Sequence, residues 1–254
     1  MSGIHESWGY ASHDMYVRRW QLIRPHITLS AFVLVDWGSD AGWFSVNAAH
    51  SFPDATVLSV ESGLMSDGEG LRLHKAKIAQ YAADNNVIVP ASFGPDTFGG
   101  LREVRSDYQL VLSVFHHIGD GFGRYLRTEK EWDDAFAGLI MGSRTTFFEI
   151  PNETSPAETP HRIRAWYGNR DVESVIRSAL DRTGLSATVE LLGETEHGAK
   201  GRRKLFKIEQ SEPIVTADAS AIADYIASAS RSAQMRPLRR LRFVLARVRH
   251  RLFS

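Results

Sequence analysis

Two adjacent histidines, His116 and His117, follow an apolar run from Asp107 to Phe115. An imidazole with its unperturbed pKa near ~6.5 is mostly neutral at pH 7, which makes it the natural base for a hydroxyl proton. A second group lies in Val33-Leu34-Val35-Asp36-Trp37-Gly38-Ser39-Asp40-Ala41-Gly42, where an apolar run ends in an acid and opens onto two glycines four apart. Glycines there permit positive φ and let a ligand touch the backbone. Glu61 ends the next apolar run, 23 residues after Gly38. A carboxylate in that place accepts hydrogen bonds from both hydroxyls of a ribose. Together these residues point to a nucleoside cofactor at the carboxyl ends of two neighbouring strands. The Gly-x-x-x-Gly spacing is not the G-x-G-x-x-G of a dinucleotide fingerprint, so a pyrophosphate is poorly served. The competing possibilities are a plain strand–helix turn and, for Glu61, a solvated strand end.

The elements that must position these groups follow from periodicity. Residues 14–24 carry Met15, Trp20 and Ile23 at near-helical spacing before Pro25. Continuous apolar runs at 31–38, 56–61, 86–91 and 107–115 read as strands buried on both faces. Helices are expected over 41–52, 70–83 and 129–140, and a fifth strand over 144–150. After a Pro/Thr/Glu-rich loop (151–161), a helix at 171–182 stops at Gly184, and strands at 186–193 and 202–210 are joined by a polar loop as a hairpin. This alternation calls for an α/β fold with a Rossmann-like, seven-stranded, mostly parallel sheet, a C-terminal antiparallel hairpin and helices on both faces. The expected division is an N-terminal helical lid (1–30), a catalytic domain (31–210), an Ala/Ser-rich helical linker (211–235) and a basic tail helix (236–254).

Composition narrows the chemistry. The 254 residues include no cysteine, which excludes a thiolate nucleophile, an iron–sulfur cluster and a Cys-ligated zinc site. Thirty basic side chains balance 30 acidic ones, yet seven of the former lie in 236–254, which has no acid. The body therefore carries 23 basic against 30 acidic residues. Neutrality is a cancellation of two unlike parts. No signal peptide, membrane span or repeat is visible, so a cytoplasmic location is expected.

The segments VLVDWGSDAGWFS, VLSVE and DYQLVLSVFHHI resemble the successive motifs of class I S-adenosylmethionine-dependent methyltransferases over about residues 31–150, and the closing hairpin suits that family's last strands. The resemblance implies S-adenosyl-L-methionine as cofactor. It implies that Asp36, Gly38 and Gly42, with Ser39 between them, shape the pocket for the methionine part, that Glu61 binds the ribose, and that Ser92 and Phe93 meet the adenine. The family often has an acid and a small apolar residue where this chain has Ala91-Ser92-Phe93. In some plant O-methyltransferases a catalytic histidine lies four residues past the strand end. Counting from Ser113, itself taken as a cofactor contact, favours His117 over His116 as the base; a pocket-shaping role is the alternative. Asp120 and Glu149 are expected to orient His117, to bind an acceptor hydroxyl or, with Asp36, to hold a divalent cation; solvated or capping acids are the bland alternative. No metal-ligand spacing is present among the scattered histidines. Trp8, Tyr10, Tyr16, Arg18 and Arg19 are candidates for the lid, with Tyr16 and Arg18 as acceptor contacts. YVRRWQLIRPHI, FFEIP and GRRKLF are also similar, more loosely, to bacterial surface-polysaccharide methyltransferases of the O-antigen type, which implies a saccharide hydroxyl or phosphate, free or lipid-linked, as acceptor.

In the tail, Leu238, Leu241, Leu245, Val248 and Leu252 recur at helical spacing, with Arg239, Arg240, Arg242, Arg247, Arg249 and Arg251 around them. This is the pattern of a helix lying in an anionic membrane interface. The apolar stripe also suits docking on the chain's own domain or on a second copy, and the arginines suit RNA. The acidic body and the lack of interleaved aromatics disfavour nucleic acid. A methyltransferase for a small phenol or metabolite, an RNA methyltransferase and a cofactor-binding protein without turnover are the other functions considered.

Overall fold

The computed structural model of the chain describes residues 13–62, 68–118, 126–152, 163, 166–196 and 202–231. Helix α1 (His13–Ile23) leads into β1 (Val33–Trp37), α2 (Trp43–Ser51), β2 (Thr56–Glu61), α3 (Glu69–Gln80), β3 (Asn86–Pro90), the single turn α4 (Pro95–Phe98) and β4 (Ser106–Leu112). There follow α5 (Glu129–Ile140), β5 (Ser143–Pro151), α6 (Val172–Thr183), β6 (Ala187–Glu196), β7 (Arg202–Gln210) and a helix over 219–231, here α7. The seven strands form one sheet in the order β3-β2-β1-β4-β5-β7-β6. β3 to β5 run parallel, and β7 inserts antiparallel between β5 and β6. The architecture is the expected one.

The period-2 alternation of the strands divides the core between the two faces. Leu34, Val57, Tyr108, Leu110 and Phe147 meet Trp20 and Ile23 of α1 and Trp43, Phe44 and Val46 of α2. Val35, Trp37, Val60, Val111, Phe148 and Phe206 face Trp132 and Phe136 of α5, Val175 and Ile176 of α6, and Ile222 and Ile226 of α7. Local signals set the ends. Thr128 and Glu131 close α5 with a capping box, Asp171 caps α6 through the Ser174 N–H, and Gly184 ends it in the left-handed region.

Among the boundaries that differ from those expected, two concern the end of β4 and the closing hairpin, while α3 stops at Gln80 rather than residue 83. The strand expected over 107–115 ends at Leu112, because Ser113 takes a left-handed backbone with φ +63°. Phe115 to His117 then form a 3-10 turn that drops Phe115 among Trp132, Phe136, Phe148 and Trp166, with ring centroids 5.3–5.8 Å apart. An apolar run that turns under a helix has the same composition as one that continues along a strand. The hairpin strand β6 runs to Glu196 rather than residue 193, with a bulge between Leu191 and Gly193. Asp120, Trp8, Tyr10, the loop 153–162 and the whole tail segment 236–254 lie outside the described residues.

Candidate functional site

The strand order reverses between β1 and β4, and in open α/β sheets ligands bind at the carboxyl ends of the strands flanking such a point. A pocket lies there. Its wall draws Asp36, Gly38 and Ser39 from β1 and its turn, Glu61 from β2, Ser92 and Phe93 from beyond β3, Ser113 and His117 from beyond β4, and Tyr16 and Arg19 from α1.

The turn after β1 is built from left-handed residues: Gly38 at φ +69°, Asp40 at +48° and Gly42 at +78°. The N–H groups of Gly38 and Ser39 donate to the Val60 carbonyl at 2.8 and 3.2 Å, tying the turn to β2. The Asp40 N–H donates to Glu61 Oε2 at 2.9 Å, which orients that carboxylate along the pocket wall. A Cβ on Gly38 would lie 2.7 Å from Val114 Cγ2, so a side chain there would push the β4 end out of place. Gly42 stands behind the wall rather than in it. It precedes α2, and the His74 ring occupies the space a Cβ would take, 2.1 Å from His74 Cδ2. Its place next to the wall is thus one of close packing against α3.

Asp36 is buried and accepts a 2.5 Å hydrogen bond from Ser45 Oγ. Burial pushes its carboxyl up to about 7; the Ser45 bond opposes this and the Glu61 charge adds to it. Ser39 and Ser92 line the pocket, and their hydroxyl oxygens are buried without a hydrogen-bond partner among the described residues. Buried polar atoms normally have partners, so this pair marks where a polar ligand belongs. Phe93 is braced edge-on by Trp37, centroids 5.2 Å apart, and Trp37 is itself fixed by donating to Gln109 Oε1 at 2.9 Å.

The two histidines separate. His117 is exposed and lines the pocket, whereas His116 is 1% exposed and points into the core, its ring 4.0 Å from that of His117. Glu149 is fully buried and does not reach the pocket. It pairs with Arg19 (Nε to Oε1 2.6 Å) and accepts from Ser113 Oγ at 2.5 Å and Thr195 Oγ1 at 2.9 Å, with Arg203 3.8 Å away. Its carboxylate oxygens are committed to Arg19, Ser113 and Thr195. Among the described residues no group of three or more histidine, aspartate and glutamate side chains is placed to hold a metal ion.

Arg18 also requires correction. It is exposed and outside the pocket, while Arg19 is 2% exposed and lines it. Burial lowers the Arg19 pKa and the Glu149 carboxylate opposes that. Position 19 is four residues from both Met15 and Ile23, the apolar face of α1, so helical phase carries it inward and turns Arg18 out.

This architecture recurs among solved structures. One is the bifunctional kinase-methyltransferase WbdD, 15% identical, TM-score 0.52, covering 80% of this chain and 40% of that one. A co-crystal of WbdD with a kinase inhibitor gives 15% identity and TM-score 0.54 over 85% of this chain and 47% of that one. The N-terminal domain of EvdMO1 with SAH bound is 14% identical, TM-score 0.50, over 80% and 86%. The chain has the fold of S-adenosylmethionine-dependent methyltransferases. No protein-family model and no curated protein sequence matches it. It spans less than half of the WbdD chains. In the methyltransferase fold, Asp36, Gly38, Ser39, Glu61, Ser92, Phe93, Ser113, Tyr16 and His117 come together, and Gly42, His116, Glu149 and Arg18 stay outside.

Proposed function

We propose that the protein is an S-adenosylmethionine-dependent O-methyltransferase whose acceptor is a hydroxyl or phosphate of a saccharide, free or lipid-linked. The observation that carries the methyltransferase reading is a pocket at the β1/β4 reversal lined by Glu61 and by two serines whose buried hydroxyls have no partner among the described residues. Glu61 would hold the ribose hydroxyls, Ser92 and Phe93 the adenine, and Asp36, Gly38 and Ser39 the methionine part. Arg19, fixed by Glu149, would meet the methionine carboxylate as a charge-assisted pair. When bound, S-adenosylmethionine supplies a methyl group activated by a sulfonium. The chain's task is to hold the acceptor in line with that methyl and to exclude water. His117, at the exposed rim, takes the acceptor's proton on an imidazole nitrogen.

The saccharide acceptor rests on the looser motif resemblance. The second reading, a small phenol, draws on the aromatic lining, where the Tyr16 ring lies 5.5 Å from Phe44 and 5.7 Å from Trp43. The arginine-rich segment 236–254 would hold the protein on the cytoplasmic face of an anionic membrane. Radiolabelled methyl transfer to lipid-linked glycans, sugar phosphates and phenols separates the acceptors. Label in the glycan or sugar-phosphate fraction supports the proposal, and label confined to phenols overturns the saccharide assignment. His117→Gln should lower turnover by roughly 10²-fold with SAH affinity retained; near-normal turnover removes the base.

A further inference from the structure

After β7 the chain returns across the sheet to the pocket. The Ala217 N–H donates to the Arg105 carbonyl at 2.8 Å, and α7 then buries Ile222 and Ile226 in the core beneath α4. Two of its side chains hold the segment 92–100. At one end the backbone N–H of Ser92 donates to Ser230 Oγ at 2.9 Å in a buried bond. At the other, the Tyr225 hydroxyl donates to the Thr97 carbonyl at 2.7 Å, and the same hydroxyl lies 2.4 Å from where a Cβ on Gly100 would be. A side chain at Gly100 would displace the tyrosine from this seat.

The held segment has little structure of its own: α4 is four residues long, between Gly94 and two further glycines. It begins with Ser92 and Phe93, which line the pocket, and from outside the β1–β4 region it is braced by α5, where Gly138 meets Phe98, and by the two α7 side chains. A wall without intrinsic rigidity is in place for only a fraction of the time unless another element fixes it, and apparent affinity falls by that fraction.

We propose that α7 is a working part of the cofactor site, with Ser230 and Tyr225 as positioning residues that hold the 92–100 segment against the adenine end of the bound cofactor. The proposal rests on the S-adenosylmethionine reading above and adds to it an element beyond the sheet that the resemblance does not assign. Neither side chain lines the pocket; both act through backbone groups of the segment they grip. Ser230→Ala leaves the buried Ser92 N–H unpartnered, and Tyr225→Phe removes one bond while keeping the ring over Gly100.

The test measures SAH affinity by calorimetry, and KM for S-adenosylmethionine and kcat separately, for the full chain and the two variants. Ser230→Ala is expected to weaken SAH about fivefold to tenfold and Tyr225→Phe about threefold, with the loss appearing in KM for the cofactor rather than in kcat. SAH binding to both variants as to the wild type overturns the proposal, as does a fall in kcat at unchanged KM, which marks a merely structural role. Failure of the wild-type chain to bind SAH is a separate result: it overturns the methyltransferase reading and this proposal with it.

Discussion

At the residue scale, the pocket depends on which side of an element each polar group faces. Asp36, Gly38, Ser39 and Glu61 were legible because strand ends and glycine turns have a fixed geometry that spacing records. Arg19 was legible only as one of two neighbouring lid arginines, and the acceptor contact went to Arg18, because one residue of helical phase separates the buried arginine from the solvated one. The compensation, a carboxylate on β5 at residue 149, is 130 positions away in sequence. Asp36 offers a direct probe of the electrostatics. Burial disfavours its charged form and pushes the carboxyl up to about 7. A cationic ligand stabilises that charged form and lowers the pKa, so binding below pH 7 releases a proton and tightens as pH rises. The affinity for S-adenosylmethionine should therefore strengthen roughly threefold to tenfold from pH 6 to pH 8 and flatten above that. Calorimetry across this range checks it. Asp36→Asn should remove the dependence, and a flat wild-type profile would contradict the assignment.

At the element scale, the chain uses helices as braces for a site made of turns. The N-terminal end of α2 is set by Gly42, whose missing side chain admits the ring of His74 from α3. That ring is fully buried; burial pushes its pKa down to about 4, and its Nε2 faces Asn86 Nδ2 of β3 at 3.0 Å. The glycine was legible in the sequence as part of the turn that shapes the pocket, but its packing against His74 was not, since a turn glycine looks the same in both roles. Gly42→Ala combines a strained φ with a clash against a ring that cannot retreat. It should cost about 3 kcal/mol in urea unfolding; a change below about 0.5 kcal/mol would mean that α3 moves freely. The 107–115 strand illustrates the other limit of periodicity. Its last residues are apolar because they enter the core under α5, and only the positive φ of Ser113 marks the departure. The docking of α7 had no sequence signal beyond Ala/Ser-rich helicity.

At the scale of the whole molecule, the strand–helix alternation made the fold class legible, because buried parallel strands are continuous apolar runs and their crossovers need helices; the strand order came from the structure. The charge asymmetry is a whole-chain property that no single element shows. Deleting residues 236–254 removes seven arginines, each contributing about 1 kcal/mol near an anionic surface. The shortened chain should lose flotation with anionic vesicles while keeping its SAH affinity, and undiminished flotation would contradict a membrane role for the tail. Among the described residues no helix is long and apolar enough to cross a membrane. The central claim is that the pocket at the β1/β4 reversal holds S-adenosylmethionine through Glu61. Calorimetric titration of SAH into the wild-type chain and into Glu61→Gln tests it most directly. The account predicts one site per chain, weakened at least tenfold in the variant, whereas no heat of binding in the wild type, or equal binding in both, would contradict it.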